Sequence, residues 1–222
     1  MAGRKTYKQN CPLARGLDVL GERWTLLILR ELLGGARRYS DLRAALPGIA
    51  TNLLADRLRE LEESGIVDRT ELPPPVARTV YTLSEDGWRK VPRVIQAIAR
   101  FGLELVEPDE SAFTPLNGFL AGILLAFDPL RAADLNASYR IHIDGRRFEF
   151  AVRDRNLAAA QSEPAVTVTA TASDLIGARV GATAAERRAA LRRVKFEGDP
   201  DDIDAIRTAF LLMGDPGLAV AA

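Results

Sequence analysis

The chain has 222 residues, of which 47% are hydrophobic and 27% charged. That is the make-up of an ordinary globular protein, long enough for one large or two small cores. A single cysteine, Cys11, excludes an internal disulfide framework and a cysteine zinc cluster, and a cytoplasmic location fits it best. The formal net charge is zero. It hides a mild segregation: 17 Lys/Arg against 14 Asp/Glu in residues 1–107, and 13 against 16 in residues 108–222. A basic nucleic-acid module joined to a more acidic one is compatible with that balance.

The start, "MAGRKTYKQN", lacks the apolar core of a signal peptide. Leu13, Leu17 and Leu20 predict a short first helix. Trp24, Leu27, Ile28 and Leu32 recur at helical spacing, and Gly34-Gly35 ends that second helix. Ser40 is the expected N-cap of a short third helix, "DLRAAL". "PGI" then turns into a fourth helix, with Leu54, Leu58 and Leu61 as its buried stripe and Gly65 at its C-terminal cap. Two helices joined by a short glycine-containing turn are a helix-turn-helix pattern. "IVDRTEL" and "TVYTL" predict two strands around a stiff proline-rich tip, "PPPVAR". From Trp88 a long stripe follows through Val91, Ile95, Ile98, Phe101 and Leu105. It is broad for a terminal helix, and a dimer seam is its natural sink.

"EPDES", residues 107–111, is the expected linker. Beyond it, "NGFLAGILLAF" is too short to span a bilayer and reads as a buried helix. "SYRIHIDGRRFEFAV" predicts a hairpin turning on Asp144-Gly145. Its register puts Tyr139 and Ile141 beside Phe150 and Phe148 on one face, with Arg140 opposite Glu149 and His142 opposite Arg147 on the other. A strand "AVTVTA", two helices, a strand "VKFEG" and a last helix from about Pro200 to Leu212 complete the half. The expected fold is therefore two domains. A mainly α winged helix-turn-helix spans 1–106, and an α+β domain with a single sheet covered by helices spans 112–215.

A helix that reads DNA buries one face and offers small or polar groups on the other. Opposite the leucines stand Asn52, Asp56, Arg59 and Glu63, with Ala55 beside them and Thr51 at the start. Asn52 suits adenine, Asp56 cytosine, Ala55 a thymine methyl and Arg59 a phosphate; a solvated helix face is the competing reading. Arg37, Arg38 and Ser40 at the entrance to the third helix, and Arg69 and Arg78 on the two arms of the wing, fit backbone or minor-groove contacts.

"CPLARGLDVLGERWTLLILREL", "RRYSDLRAALPGI", "LADRLRELEESGIVDR" and "VYTLSEDG" follow one another in the order and spacing of the HxlR-type winged helix-turn-helix regulators. The resemblance spans about residues 8–105. It implies a dimer on pseudo-palindromic double-stranded DNA, with N- and C-terminal helices forming the seam. Ala50 stands where that family often has a serine starting the recognition helix, and the wing tip is longer and richer in proline than is common. Some proteins similar to this one sense oxidants through a cysteine near the N-terminus, which makes Cys11 a candidate redox sensor. The alternative is a small, partly buried residue opening a dimerisation helix. Arg15, one turn on, either lowers the thiol's pKa or is simply solvated.

The second half offers no catalytic constellation. Its one histidine, His142, sits on a polar hairpin face without a partner cluster, and no metal spacing or phosphate loop is present. No enzyme, cofactor or metal is expected. The segment order over about 112–213, ending in "VKFEGDPDDIDAI", resembles the sterol carrier protein type 2-like domain. That resemblance implies an apolar ligand. Phe119, Ile123, Phe127, Tyr139, Ile141, Phe148, Phe150 and Phe210 are the candidate lining, a filled core being the default alternative. The function expected is a dimeric transcriptional regulator with a sensor domain. Its rival is a lipid carrier whose winged helix serves dimerisation or protein contact.

Overall fold

The computed structural model describes residues 6–73, 78–103, 105, 127–132, 135–180 and 183–210. The wing tip at 74–77, the expected linker, and the apolar helix with its candidates Phe119 and Ile123 lie outside the described residues. The chain divides into two compact units, Met1–Gly87 and Trp88–Ala222.

The first unit opens with α1 (Pro12–Leu20) and α2 (Thr25–Leu33). Proline suits the first position of α1, where its missing N–H has no partner to lose. Ala14 is the buried residue of α1, while Leu13 and Leu17 face outward, Leu13 being 71% exposed. In α2, Ile28, Leu29, Leu32 and Leu33 are buried, but Leu27 of the expected stripe is exposed. Trp24 precedes α2 with φ +79, and Gly35 ends it with φ +98.

The third helix, α3 (Tyr39–Ala45), begins earlier than expected. Ser40 lies inside its first turn, so it is not the N-cap. Arg38 holds that position, and its backbone N–H donates to Asp41 at 3.2 Å. Gly48, with φ +89, turns the chain into α4 (Thr51–Glu63). Leu54, Leu58 and Leu61 of α4 are buried with Leu42, Leu46 and Ile49. Strands β1 (Val67–Leu72) and β2 (Arg78–Leu83) pair antiparallel from Val67–Leu83 to Leu72–Arg78.

Helix α5 (Glu85–Leu103) starts three residues before Trp88. The Ser84 hydroxyl accepts the Gly87 N–H at 2.9 Å, an N-cap bond absent from the sequence reading. Trp88, Val91 and Ile95 are buried, whereas Ile98, Phe101 and Leu105 are exposed, Phe101 by 70%.

The second unit holds a five-stranded sheet in the order β5-β4-β3-β6-β7. Its strands are β3 (Ala137–Ile143), β4 (Arg146–Arg153), β5 (Asn156–Ala158), β6 (Val166–Ala170) and β7 (Lys195–Gly198). The hairpin register is the expected one: Tyr139 pairs with Phe150, Arg140 with Glu149, Ile141 with Phe148 and His142 with Arg147. Asp144 and Gly145 turn it, both at positive φ, as a type I′ turn requires. Strands β3 and β6 run parallel; the other pairs are antiparallel.

Helices α6 (Ala172–Val180), α7 (Ala184–Leu191) and α8 (Pro200–Ala209) complete the unit. Thr183 and Glu186 form a reciprocal capping box on α7, and Asp199 caps α8. Asp174, in the first turn of α6, accepts from Arg193 at 2.5 Å and from the Thr171 hydroxyl at 2.8 Å. Those hydrogen bonds, Arg193's first, hold its carboxyl below the usual carboxylate range. A depressed carboxylate adds stability above its unfolded pKa of about 4, and that stability disappears as pH falls through the folded value. Asp174→Asn is therefore expected to destabilise the second unit by about 1 kcal/mol near pH 7, Arg193 being largely exposed. Urea unfolding from pH 7 to pH 3 checks this: the gap between variant and parent must shrink as the pH falls below 4. A gap independent of pH would exclude the ionised pair as its source.

Candidate nucleic-acid interface

Three contacts set α4 in place. The leucine stripe buries one face of α4. Tyr39, in the first turn of α3, donates its hydroxyl to the Thr51 carbonyl at 2.6 Å, tying the two helices of the turn together. Arg57, mostly buried, donates to Glu22 at 3.1 Å and also pairs with Glu60. Sequence reasoning missed Tyr39, Arg57 and Glu22 as positioning residues. The signal for Tyr39 was its place beside the turn; nothing local linked Arg57 to a residue 35 positions away.

The opposite face of α4 is outward. Thr51, Asn52, Ala55 and Arg59 are exposed, and Asp56 is half-exposed. Two of them are engaged with each other: Arg59 donates to Asp56 at 2.8 Å and approaches Glu63 at 3.9 Å. Either side chain would be free for a base or phosphate only after that pair parts, whereas the Asn52 side chain makes no hydrogen bond among the described residues. Ala50 at the N-cap offers no side-chain hydrogen bond, so the first amides of α4 carry no cap. Uncapped helix N-termini favour phosphate oxygens.

The basic groups fall around this helix. Arg37 exchanges two backbone hydrogen bonds with Tyr81 of β2, at 2.9 and 2.7 Å, which fastens the entrance of α3 to the wing. Arg38 and Ser40 follow, both exposed. Arg69 stands on β1 and pairs with Glu71 at 2.8 Å; Arg78 is half-buried at the start of β2. Cys11 is half-buried and precedes α1, its carbonyl accepting the Arg15 N–H at 3.0 Å. The Arg15 guanidinium lies 3.8 Å from Asp18.

The first unit thus combines a leucine-backed helix, a tight glycine turn before it and a two-stranded wing after it. The family model of the HxlR-like helix-turn-helix matches residues 19–110. The HTH-type transcriptional regulator YvaP of Bacillus subtilis is 35% identical over 99 residues, which are 44% of this chain and 91% of that protein. The chain belongs to the HxlR-like helix-turn-helix family.

Other relatives agree. The HTH-type transcriptional regulator YodB of B. subtilis is 33% identical over 46% of this chain and 90% of its own length. The regulator sll1512 of Synechocystis is 37% identical over 49% and 79%. The structure of reduced YodB matches over 46% of this chain and all of its own, at 33% identity and a TM-score of 0.40. This HxlR-like chain is a helix-turn-helix transcriptional regulator, not an enzyme. None of its helices among the described residues is long and apolar enough to cross a membrane.

The second unit of the HxlR-like protein gathers the other candidate set. Tyr139, Ile141, Phe148 and Phe150 share one buried sheet face. Phe127 and Phe210 are buried beside it: Phe210 lies 5.5 Å from Phe150 and 5.1 Å from Phe127, between ring centroids. The polar face carries Arg140 and Arg147, which both donate to Glu149, at 2.8 and 3.2 Å. Burial pushes Glu149 up, but those bonds outweigh it and hold its carboxyl below the usual range. A groove lined by Trp88, Pro92, Arg93, Phe127, Arg155 and Leu157 shares only Phe127 with the candidate lining.

Proposed function

We propose that this regulator acts as a homodimer that sets one copy of α4 in each of two successive major grooves of double-stranded DNA. Asn52 and Ala55 read bases, Arg37, Arg38, Ser40 and Thr51 position the backbone, and the wing arginines Arg69 and Arg78 grip the flanking groove. Asp56 and Arg59 exchange their mutual pair for base and phosphate. The observation that carries this reading is the outward face of α4, polar and small along its first two turns, behind three buried leucines. Exposed Leu13 and Leu17 on α1, Ile98 and Phe101 towards the end of α5, and Leu105 just beyond it are apolar groups that a second copy would cover. In this reading the domains run 1–106 and 112–215, with α5 serving the dimer.

The second half is then a sterol carrier protein type 2-like sensor. A ligand that prefers one domain arrangement changes DNA affinity through linkage, and a coupling of about 1–3 kcal/mol amounts to roughly 5- to 150-fold.

Selection of random duplexes by the purified protein tests the DNA reading. An inverted repeat with half-sites about 34 Å apart is the expected product. Asn52→Ala is expected to weaken binding to that repeat by about 1–3 kcal/mol while leaving the salt dependence unchanged. Retention without any enriched sequence would favour the carrier reading, with the winged helix as a contact module.

A further inference from the structure

Among the described residues, the buried side chains on the Tyr139 face of the sheet are Phe, Ile, Val, Leu and Ala, with one exception. Tyr139 is 0% exposed, and its hydroxyl makes no hydrogen bond among the described residues. Phe150 stands opposite it in the register, with ring centroids 5.7 Å apart. Val166 is its neighbour on the other side, and Gly198 beyond Val166 brings no side chain to the row. A hydroxyl buried without a partner disfavours the fold, and phenylalanine would fill the same space without that cost. The group is therefore placed for a partner that the apolar wall does not supply.

We propose that the Tyr139 hydroxyl is the polar anchor of the second unit and donates a hydrogen bond to the head of a neutral, oxygen-bearing apolar ligand. This rests on the reading of that unit as an apolar-ligand domain. Two observations choose the head group. Burial, with a smaller contribution from Asp202, pushes the phenol up to about 12, so it remains a donor at any physiological pH. The same Asp202 stands in the first turn of α8 beside Asp201, after the capping Asp199. The Asp202 carboxylate acts on the Tyr139 hydroxyl, so it disfavours an anionic head there and tolerates a hydroxyl or ketone oxygen. The ligand class is thus a long-chain alcohol or ketone, or a ring system bearing one, and not a fatty acid.

The full-length protein and Tyr139→Phe are loaded with Nile red, a neutral apolar dye, and titrated with dodecanol, dodecanoate and dodecane. The parent is expected to release dye to dodecanol at about tenfold lower concentration than to dodecanoate or dodecane, one hydrogen bond's worth of preference. In Tyr139→Phe the dye affinity and the melting temperature hold or rise, and the preference for the alcohol disappears. An alcohol preference that survives in Tyr139→Phe, or a parent that takes dodecanoate as well as dodecanol, overturns the anchor while leaving the apolar-ligand reading intact. A parent that takes up neither dye nor any of the three chains overturns the apolar-ligand reading, and the anchor with it.

Discussion

Phe150→Ala is expected to destabilise the second unit by about 3–5 kcal/mol. The ring sits at the centre of the aromatic cluster, against Tyr139 on the strand beside it and Phe210 at the end of α8. It is buried to within 2% of its surface. Truncation removes the transfer free energy of the side chain and leaves a cavity among residues whose backbones are held by the ladders of β3 and β4. The edge-to-face contact with Phe210 adds a further share. Urea unfolding followed by circular dichroism gives the value, with the second unit's transition moving and the first unit's staying in place. A change below 1 kcal/mol would mean that the cluster closes over the gap and that the face is loosely packed.

Gly87→Ala gives the opposite of the usual helix rule. In an exposed helix interior, alanine in place of glycine adds about 1 kcal/mol of stability. Gly87 lies in the first turn of α5, and a Cβ there would overlap the Ile66 carbonyl oxygen. That oxygen cannot yield easily, because it accepts the Ser84 N–H at 3.0 Å while the Ser84 hydroxyl donates to the Gly65 carbonyl at 2.6 Å. The three residues lock the end of α4, the start of β1 and the start of α5 together. The variant is expected to lose about 1–3 kcal/mol, as overpacked sites do. Gly16→Ala in α1 is the control: a Cβ there meets nothing within 4 Å, so stability should rise. If both variants gained stability, the close passage of α5 over Ile66 would be disproved.

Local chemistry determined much of this molecule. Asp144-Gly145 fixes a two-residue turn, and a two-residue turn fixes register, so every cross-strand pair of the first hairpin was legible. Leucines at helical spacing, with glycine at the positive-φ end, marked α4 and its buried face for the same reason. The candidate DNA-facing residues of α4 follow from that face alone. The next hairpin was not legible: it turns on Asp154-Arg155, both at positive φ, a conformation that arginine rarely adopts, and so β5 went unseen.

The start of α3 was misread because Ser40 is a good cap by type. Tyr39 instead enters the helix, where its hydroxyl reaches Thr51, twelve residues away. The pairing of Arg59 with Asp56, the parallel placement of β3 beside β6 and the seclusion of the Tyr139 hydroxyl belong to the same class. The sequence alone thus determined the helix-turn-helix, the wing and the hairpin, since their geometry is set by neighbours a turn or two away. Only the tertiary structure decided which polar groups end paired, orphaned or outward. Desolvation and partner choice depend on residues that distant parts of the chain bring together.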